Sequence, residues 1–213
     1  MNCIKILTDE DFGLNRVDFN NPRIRYGARG IIVRNDGKIA IFNKSNKNEY
    51  KLPGGGVDDG ENAKDAFKRE ALEETGCEID IIDELGTIEE HKSLDNFKQI
   101  SYVFVGKVIK EHDKLNLTQK EKEEGAKLLW VDKEEGLRLI SECISNLKES
   151  KYENLYHSKF IVLRDKIIEG TGIGVSIPEY GETYELSDKL RVVNKIKIRK
   201  AKSVRQEVLE RLS

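Results

Sequence analysis

The chain of 213 residues is poor in the features that build disulfide-stapled, zinc-binding or membrane-spanning proteins. Its three cysteines, Cys3, Cys77 and Cys143, are odd in number, far apart and without a CxxC pair. That pattern argues against a disulfide framework and against a thiolate zinc site. No stretch approaches the roughly 18 consecutive apolar residues that a membrane span needs. The first residues, Met1 to Lys5, lack the charged, apolar and small-residue regions of a secretory signal. His91, His112 and His157 show no metal-ligand spacing and read as surface residues. These absences predict a protein of the reducing cytoplasm with no membrane partner.

What is present is charge, together with short apolar runs. Charged residues make up 36% of the chain and hydrophobic ones 38%, so a large solvated surface is expected around a modest core. Strand-like runs such as Gly30–Val33 and Lys38–Phe42 supply that core. The net charge of -2 is unevenly spread: from Asp188 to Ser213 nine basic residues stand against three acidic ones, which leaves an acidic body and a basic tail. The organisation expected is a domain over 1–170 followed by a linker and basic extension over 171–213, with Gly170-Thr171-Gly172-Ile173-Gly174 marking the domain's end as a flexible linker.

The pattern predicts strands over 24–34, 38–43, 49–52, 79–90, 98–109 and 127–131, with Asp36-Gly37 turning the first hairpin. Helices are predicted over 62–75, closed by Gly76, from Asp132 to about 147, and over about 153–168. Asp132 with Glu135 reads as a capping box, and the charged segment 110–126 reads as loop. Strands with helices between and after them point to an α/β layered domain.

The informative segment is Gly54 to Cys77. At about 100° per residue, Glu70, Glu73 and Glu74 fall on one helix face, the face that Ala66, Phe67 and Ala71 mark as inward. Like charges at this spacing repel, more so where water is excluded. A divalent cation is the simplest compensation, and clustered carboxylates suit Mg²⁺ or Mn²⁺. Arg69 can fix a carboxylate by a two-pronged hydrogen bond, with Glu61 as partner. Pro53-Gly54-Gly55-Gly56 lets the backbone approach a ligand closely. Taken alone, the helix is also compatible with a solvated acidic face.

Gly55, five residues, Glu61, seven residues, then Arg69-Glu70-Ala71, Leu72, Glu73-Glu74, Thr75, Gly76 and Cys77 resembles the Nudix box, Gx5Ex7REUxEExGU. The fixed residues are all present, and a chance match is on the order of one in 10^5 for this composition. Ala71 and Cys77 at the two aliphatic positions are a departure that touches packing. The resemblance implies an α/β/α sandwich with a mixed sheet. It further implies a divalent-metal-dependent hydrolase (Mg²⁺ or Mn²⁺) that cleaves a diphosphate bond in a nucleoside diphosphate derivative. Glu70, Glu73, Glu74 and the Gly54 carbonyl match the family's metal ligands. Arg69 and Glu61 match its structural pair, with Gly55 and Gly76 as the motif's glycines. The general base is either Glu70 or a loop glutamate, for which Glu124 is the candidate.

Substrate selection is less marked. Arg25 and Arg29, before the first core strand, are candidates to meet substrate phosphates. Glu90-His91-Lys92 and Gln99 to Tyr102 could frame a base or sugar, although ordinary strand is the favoured reading. Family signatures outside the box are missing: Lys92 stands where ADP-ribose-type members tend to have proline. The basic extension reads as a lid or a homodimer arm, and its charge also admits contact with RNA. Two other functions stay open, removal of pyrophosphate from RNA 5′ ends and noncatalytic nucleotide sensing.

Overall fold

The computed structural model describes residues 1–112 and 114–172. The basic strand, short helix and lid or dimer arm expected beyond Gly172 lie outside the described residues, as does any RNA contact there. In chain order the elements are β1 (Cys3–Leu7), β2 (Arg23–Val33), β3 (Ile39–Lys44), β4 (Glu49–Lys51), β5 (Gly54–Gly56), α1 (Ala63–Thr75), β6 (Cys77–Lys92), β7 (Phe97–Glu111), α2 (Gln119–Glu123), β8 (Ala126–Val131), α3 (Lys133–Cys143) and α4 (Leu155–Gly172). The sheet runs β1-β6-β7-β2-β3-β4, with β5 on β2 and β8 on β3. Parallel pairing of β1 with β6 and of β2 with β7 makes it mixed.

Side chains alternate between faces along a strand. Even-numbered positions of β2 carry Ala28 and Ile32 into a core with Ala66, Phe67 and Ala71 of α1 and Phe104 of β7. The Phe67 and Phe104 rings stack there at 5.5 Å. Odd-numbered positions face α4: a Cβ on Gly172 would collide with Ile31. Helix α3 packs on the same side, where a Cβ on Gly136 would lie 2.8 Å from Ile39 Cδ1. Helices therefore cover both faces, giving the three layers expected.

One irregularity creates the site. β2 pairs with β3 only at Val33 and Ile39, beside the turn whose Gly37 has φ +83°. The vacated edge of β2 is taken by β5 instead, with Gly27 opposite Gly56, Ala28 opposite Gly55 and Arg29 opposite Gly54. The sheet splits at this seam, and α1 starts just beyond it. Asn62 caps the helix by accepting from Lys64 N and Asp65 N, and Gly76 closes it at φ +67°.

Several elements differ from the sequence-based expectation. β1 was not anticipated; it adds to β6 through Lys5–Leu7, opposite Ile88–Glu90. The segment expected as loop contains α2, held by a Thr118–Glu121 capping box. Asp132 makes no side-chain cap bond, and the Glu135 carboxylate, expected to complete the capping box, pairs with Arg138. Gly170-Thr171-Gly172, expected to open a linker, is the last turn of α4, with Gly172 packed on Ile31. No helix among the described residues is long and apolar enough to cross a membrane.

Candidate functional site

The acidic face of α1 meets the glycine strand β5. Glu74 is 2% exposed; it accepts from Lys51 Nζ at 3.0 Å and from the Gly54 N–H at 2.7 Å. Burial pushes its carboxyl up nevertheless, and the charge of Glu121 acts in the same direction. Glu70 lies against Gly55, where a Cβ would collide with its carboxylate. Arg69 organises the group. Its Nε and Nη2 clasp both oxygens of Glu61 at 3.0 Å, and Nη2 also donates to the Gly56 carbonyl at 2.9 Å. Its Nη1 donates to Glu70 at 2.8 Å and to Glu73 at 3.2 Å. The hydrogen bond from Arg69 holds the Glu61 carboxyl below its usual range.

These carboxylates form one wall of a cleft of about 580 Å³. Arg23, Arg25 and Arg29, at odd positions of β2, line it on the α4 side of the sheet. None of the three has an ion pair among the described residues. Arg29 is 5% exposed and donates to Ser101 Oγ at 3.2 Å. Burial, with the nearby Arg164, lowers its pKa to about 10. The Arg23 guanidinium lies over the Phe97 ring, 4.6 Å from its centroid. Lys92, Phe97 and Gln99 continue the lining from β6 and β7, and His157, Ile161 and Arg164 close it from α4. Arg164 donates to Glu90 at 3.0 Å and to Asp165 at 2.7 Å. Glu90 is buried, yet Lys92, Arg164 and Arg29 outweigh that and lower its pKa to about 2.

Most of the sequence-predicted residues meet here: Gly54, Gly55, Arg69, Glu70, Glu73, Glu74, Arg25 and Arg29 all line the cleft. Glu61 supports from behind through Arg69, and Gly76 ends the helix. Glu124 does not belong to the lining. It is 2% exposed, paired with Lys44 at 2.8 Å and bonded to Ser150 Oγ at 2.7 Å. The glutamate of that segment which reaches the cleft is Glu121, three residues earlier. Its sequence signal was the Thr118-x-x-Glu121 capping box, which positions it at the start of α2. His157, expected on the surface, stacks parallel to Phe97 and lines the cleft. Arg164 carried no sequence signal at all.

No group of three His, Cys, Asp or Glu side chains among the described residues forms a ready-made metal cage. Protein cations hold the glutamates instead, Arg69 for Glu70 and Glu73 and Lys51 for Glu74. The residues nevertheless fit a hard divalent ion. The donors are carboxylate oxygens beside a side-chain-free strand, and Glu74 stays destabilised as an anion despite Lys51.

Residues 24–146 match the NUDIX domain family, a span that runs from the second residue of β2 through α3 and holds all of α1. The chain belongs to the Nudix family. It is 32% identical over 82 residues to a protein of Bacillus subtilis (strain 168) named "Putative 8-oxo-dGTP diphosphatase". That match takes in 38% of this chain and 52% of the relative, so it spans about half of the relative's length. A NUDIX hydrolase from Nitrosomonas europaea has the same fold, with a TM-score of 0.50 at 18% identity, over 76% of this chain and 97% of that one. Helix α4, which brings His157 and Arg164 to the cleft, lies outside the Nudix match.

Proposed function

We propose that this Nudix protein hydrolyses a diphosphate bond in a nucleoside diphosphate derivative, with Mg²⁺ or Mn²⁺ as cofactor. The supporting observation is the juxtaposition, in one cleft, of Glu70, Glu73 and Glu74 with the arginine face of β2. Glu70, Glu73, Glu74 and the Gly54 carbonyl would hold the metal. When bound, the ion supplies Lewis acidity toward phosphate oxygens and lowers the pKa of a water molecule.

The chain's own residues do the rest. Arg25 and Arg29 line the same cleft and are the residues to meet substrate phosphate oxygens by charge-assisted hydrogen bonds. The Arg69–Glu61 clasp fixes the start of α1 to β5, so that Glu70 and Glu73 keep their position. The Gly54 N–H and Lys51 hold Glu74 in one orientation. The general base in this reading is Glu70 or, in place of the buried Glu124, the cleft-lining Glu121.

The test is product formation from a panel of ADP-ribose, NADH, dinucleoside polyphosphates, nucleotide sugars, nucleoside triphosphates and triphosphorylated RNA. Wild type and Glu70→Gln are compared with and without Mg²⁺ or Mn²⁺. The expected result is metal-dependent turnover of a nucleotide, with kcat/KM about 10²-fold lower or worse in the variant. Tight nucleotide binding without turnover would overturn the reading in favour of a sensor.

A further inference from the structure

Three buried side chains in the cleft stand apart from the α1 carboxylates, and two of them, Gln99 and Arg164, keep a donor nitrogen without a partner among the described residues. Gln99 is 3% exposed, and its Nε2 has no partner among the described residues. Arg164 is 2% exposed, and its Nη2 likewise has none, although its other nitrogens hold Glu90 and Asp165. Arg29 has no acid within ion-pair distance among the described residues, only the Ser101 hydroxyl. Leaving a buried donor unsatisfied costs about 1–3 kcal/mol, so a protein does not accumulate such groups without cause.

These donors converge on one place. A Cβ built on Gly27 would lie 2.6 Å from Gln99 Nε2, 2.9 Å from the Gly55 carbonyl oxygen and 3.4 Å from Arg29 Nη2. The missing side chain thus brings two donors close together beside the β5 backbone. Arg25, two residues back on the same strand face, reaches over Gly56, where a Cβ would be 2.9 Å from its Nη2. Arg164 descends from α4, close enough that its charge opposes that of Arg29. The acids nearby, Glu90 and Asp165, are already matched to Lys92 and Arg164.

We propose that Arg29, Gln99 and Arg164, with Arg25 at the rim, form a subsite for a phosphate monoester. It would be separate from the diphosphate that α1 addresses, and it selects substrates carrying an additional phosphate outside the scissile linkage. Donors arriving from β2, β7 and α4 approach from different directions, which suits a tetrahedral dianion with several oxygens. A phosphate brings several acceptor oxygens to these donors at once, which an uncharged sugar or base does not. The inference rests on the proposed nucleotide-hydrolase reading and narrows its substrate class.

The test measures binding by calorimetry on the full chain without metal. It uses three ligand pairs that differ by one phosphate monoester: NADH and NADPH, ADP-ribose and its 2′-phosphate, and dephospho-coenzyme A and coenzyme A. In at least one pair the phosphorylated member is expected to bind on the order of tenfold or more tightly. In Gln99→Met and Arg29→Met the ratio within that pair should fall toward one. Gln99→Met removes a donor with no protein partner, so it guards against a misfolded Arg29 variant, and circular dichroism checks both. Equal affinities within every pair, no binding of any member, or an unchanged ratio in both folded variants would overturn the subsite. Hydrolysis without such discrimination would leave the hydrolase reading intact; discrimination without hydrolysis would do the reverse.

Discussion

Glu169, on α4, is 1% exposed, and neither of its carboxylate oxygens has a partner among the described residues. A Cβ on Gly136 would sit 2.6 Å from one of them, so α3 presses directly on the group. Burial, reinforced by the charge of Asp165, raises its pKa from 4.5 to about 8. Between those values the unfolded chain has released the proton and the folded chain retains it. The native state therefore binds more protons, and this group's contribution to stability falls as pH rises from about 4.5 to about 8, then levels off. Glu169→Gln should remove that slope and leave the protein ~1–3 kcal/mol more stable than wild type at pH 9. Thermal unfolding from pH 5 to 9 checks it, and parallel curves for the two proteins would refute it. The clustering of Glu70, Glu73 and Glu74 was legible because their spacing is local, one helix turn read off the chain. Which loop glutamate reaches the cleft was not: Glu121 and Glu124 are only three residues apart. What separates them is the Lys44 and Ser150 partners that draw Glu124 inward.

At the scale of the element, β5 matters through what it lacks. Its three glycines bring the main chain against Glu70 and Arg25, distances that no side chain could share. Gly55→Ala should leave circular dichroism intact, since the backbone there is not confined to positive φ. It should lower turnover by about 10²-fold, because the new methyl displaces the Glu70 carboxylate. Activity within a few-fold of wild type would show that Glu70 can move without consequence. Helix α1 was readable end to end because its stop signal, Gly76, and its inward apolar residues agree. Helix α2 was missed because its five residues, all polar, carry no periodicity, only a cap. The reciprocal half of the expected Asp132 capping box is lost by competition: Arg138 gives Glu135 two charge-assisted bonds, at 2.8 and 2.7 Å, in preference to the helix start.

On the scale of the molecule, α4 is fastened to the sheet through a buried charge cluster. Arg164 holds Glu90 of β6 and Asp165 of its own helix, and Asp165 accepts from the Leu52 N–H at 3.0 Å just before β5. Arg164→Leu would strand two buried carboxylates and should cost ~3–5 kcal/mol, measured by urea unfolding. A loss below 1 kcal/mol would mean that the cluster is hydrated and dispensable. The fold class was legible because each strand and helix announced itself locally. The basic wall of the cleft was not, since it assembles Arg25, Gln99 and Arg164 from three distant segments, one of them beyond the Nudix match.

The strand alternation that separates the α1 core from the arginine face also bears on how such a protein can change over generations. Positions 25, 29 and 99 face the cleft, whereas Ala28 and Phe104, on the same two strands, face the packed interior. A lineage can therefore redraw which molecules it accepts by point substitutions on one side of β2 and β7. The other side goes on specifying the fold, and the acidic face of α1, drawn from one continuous segment, is untouched by such changes.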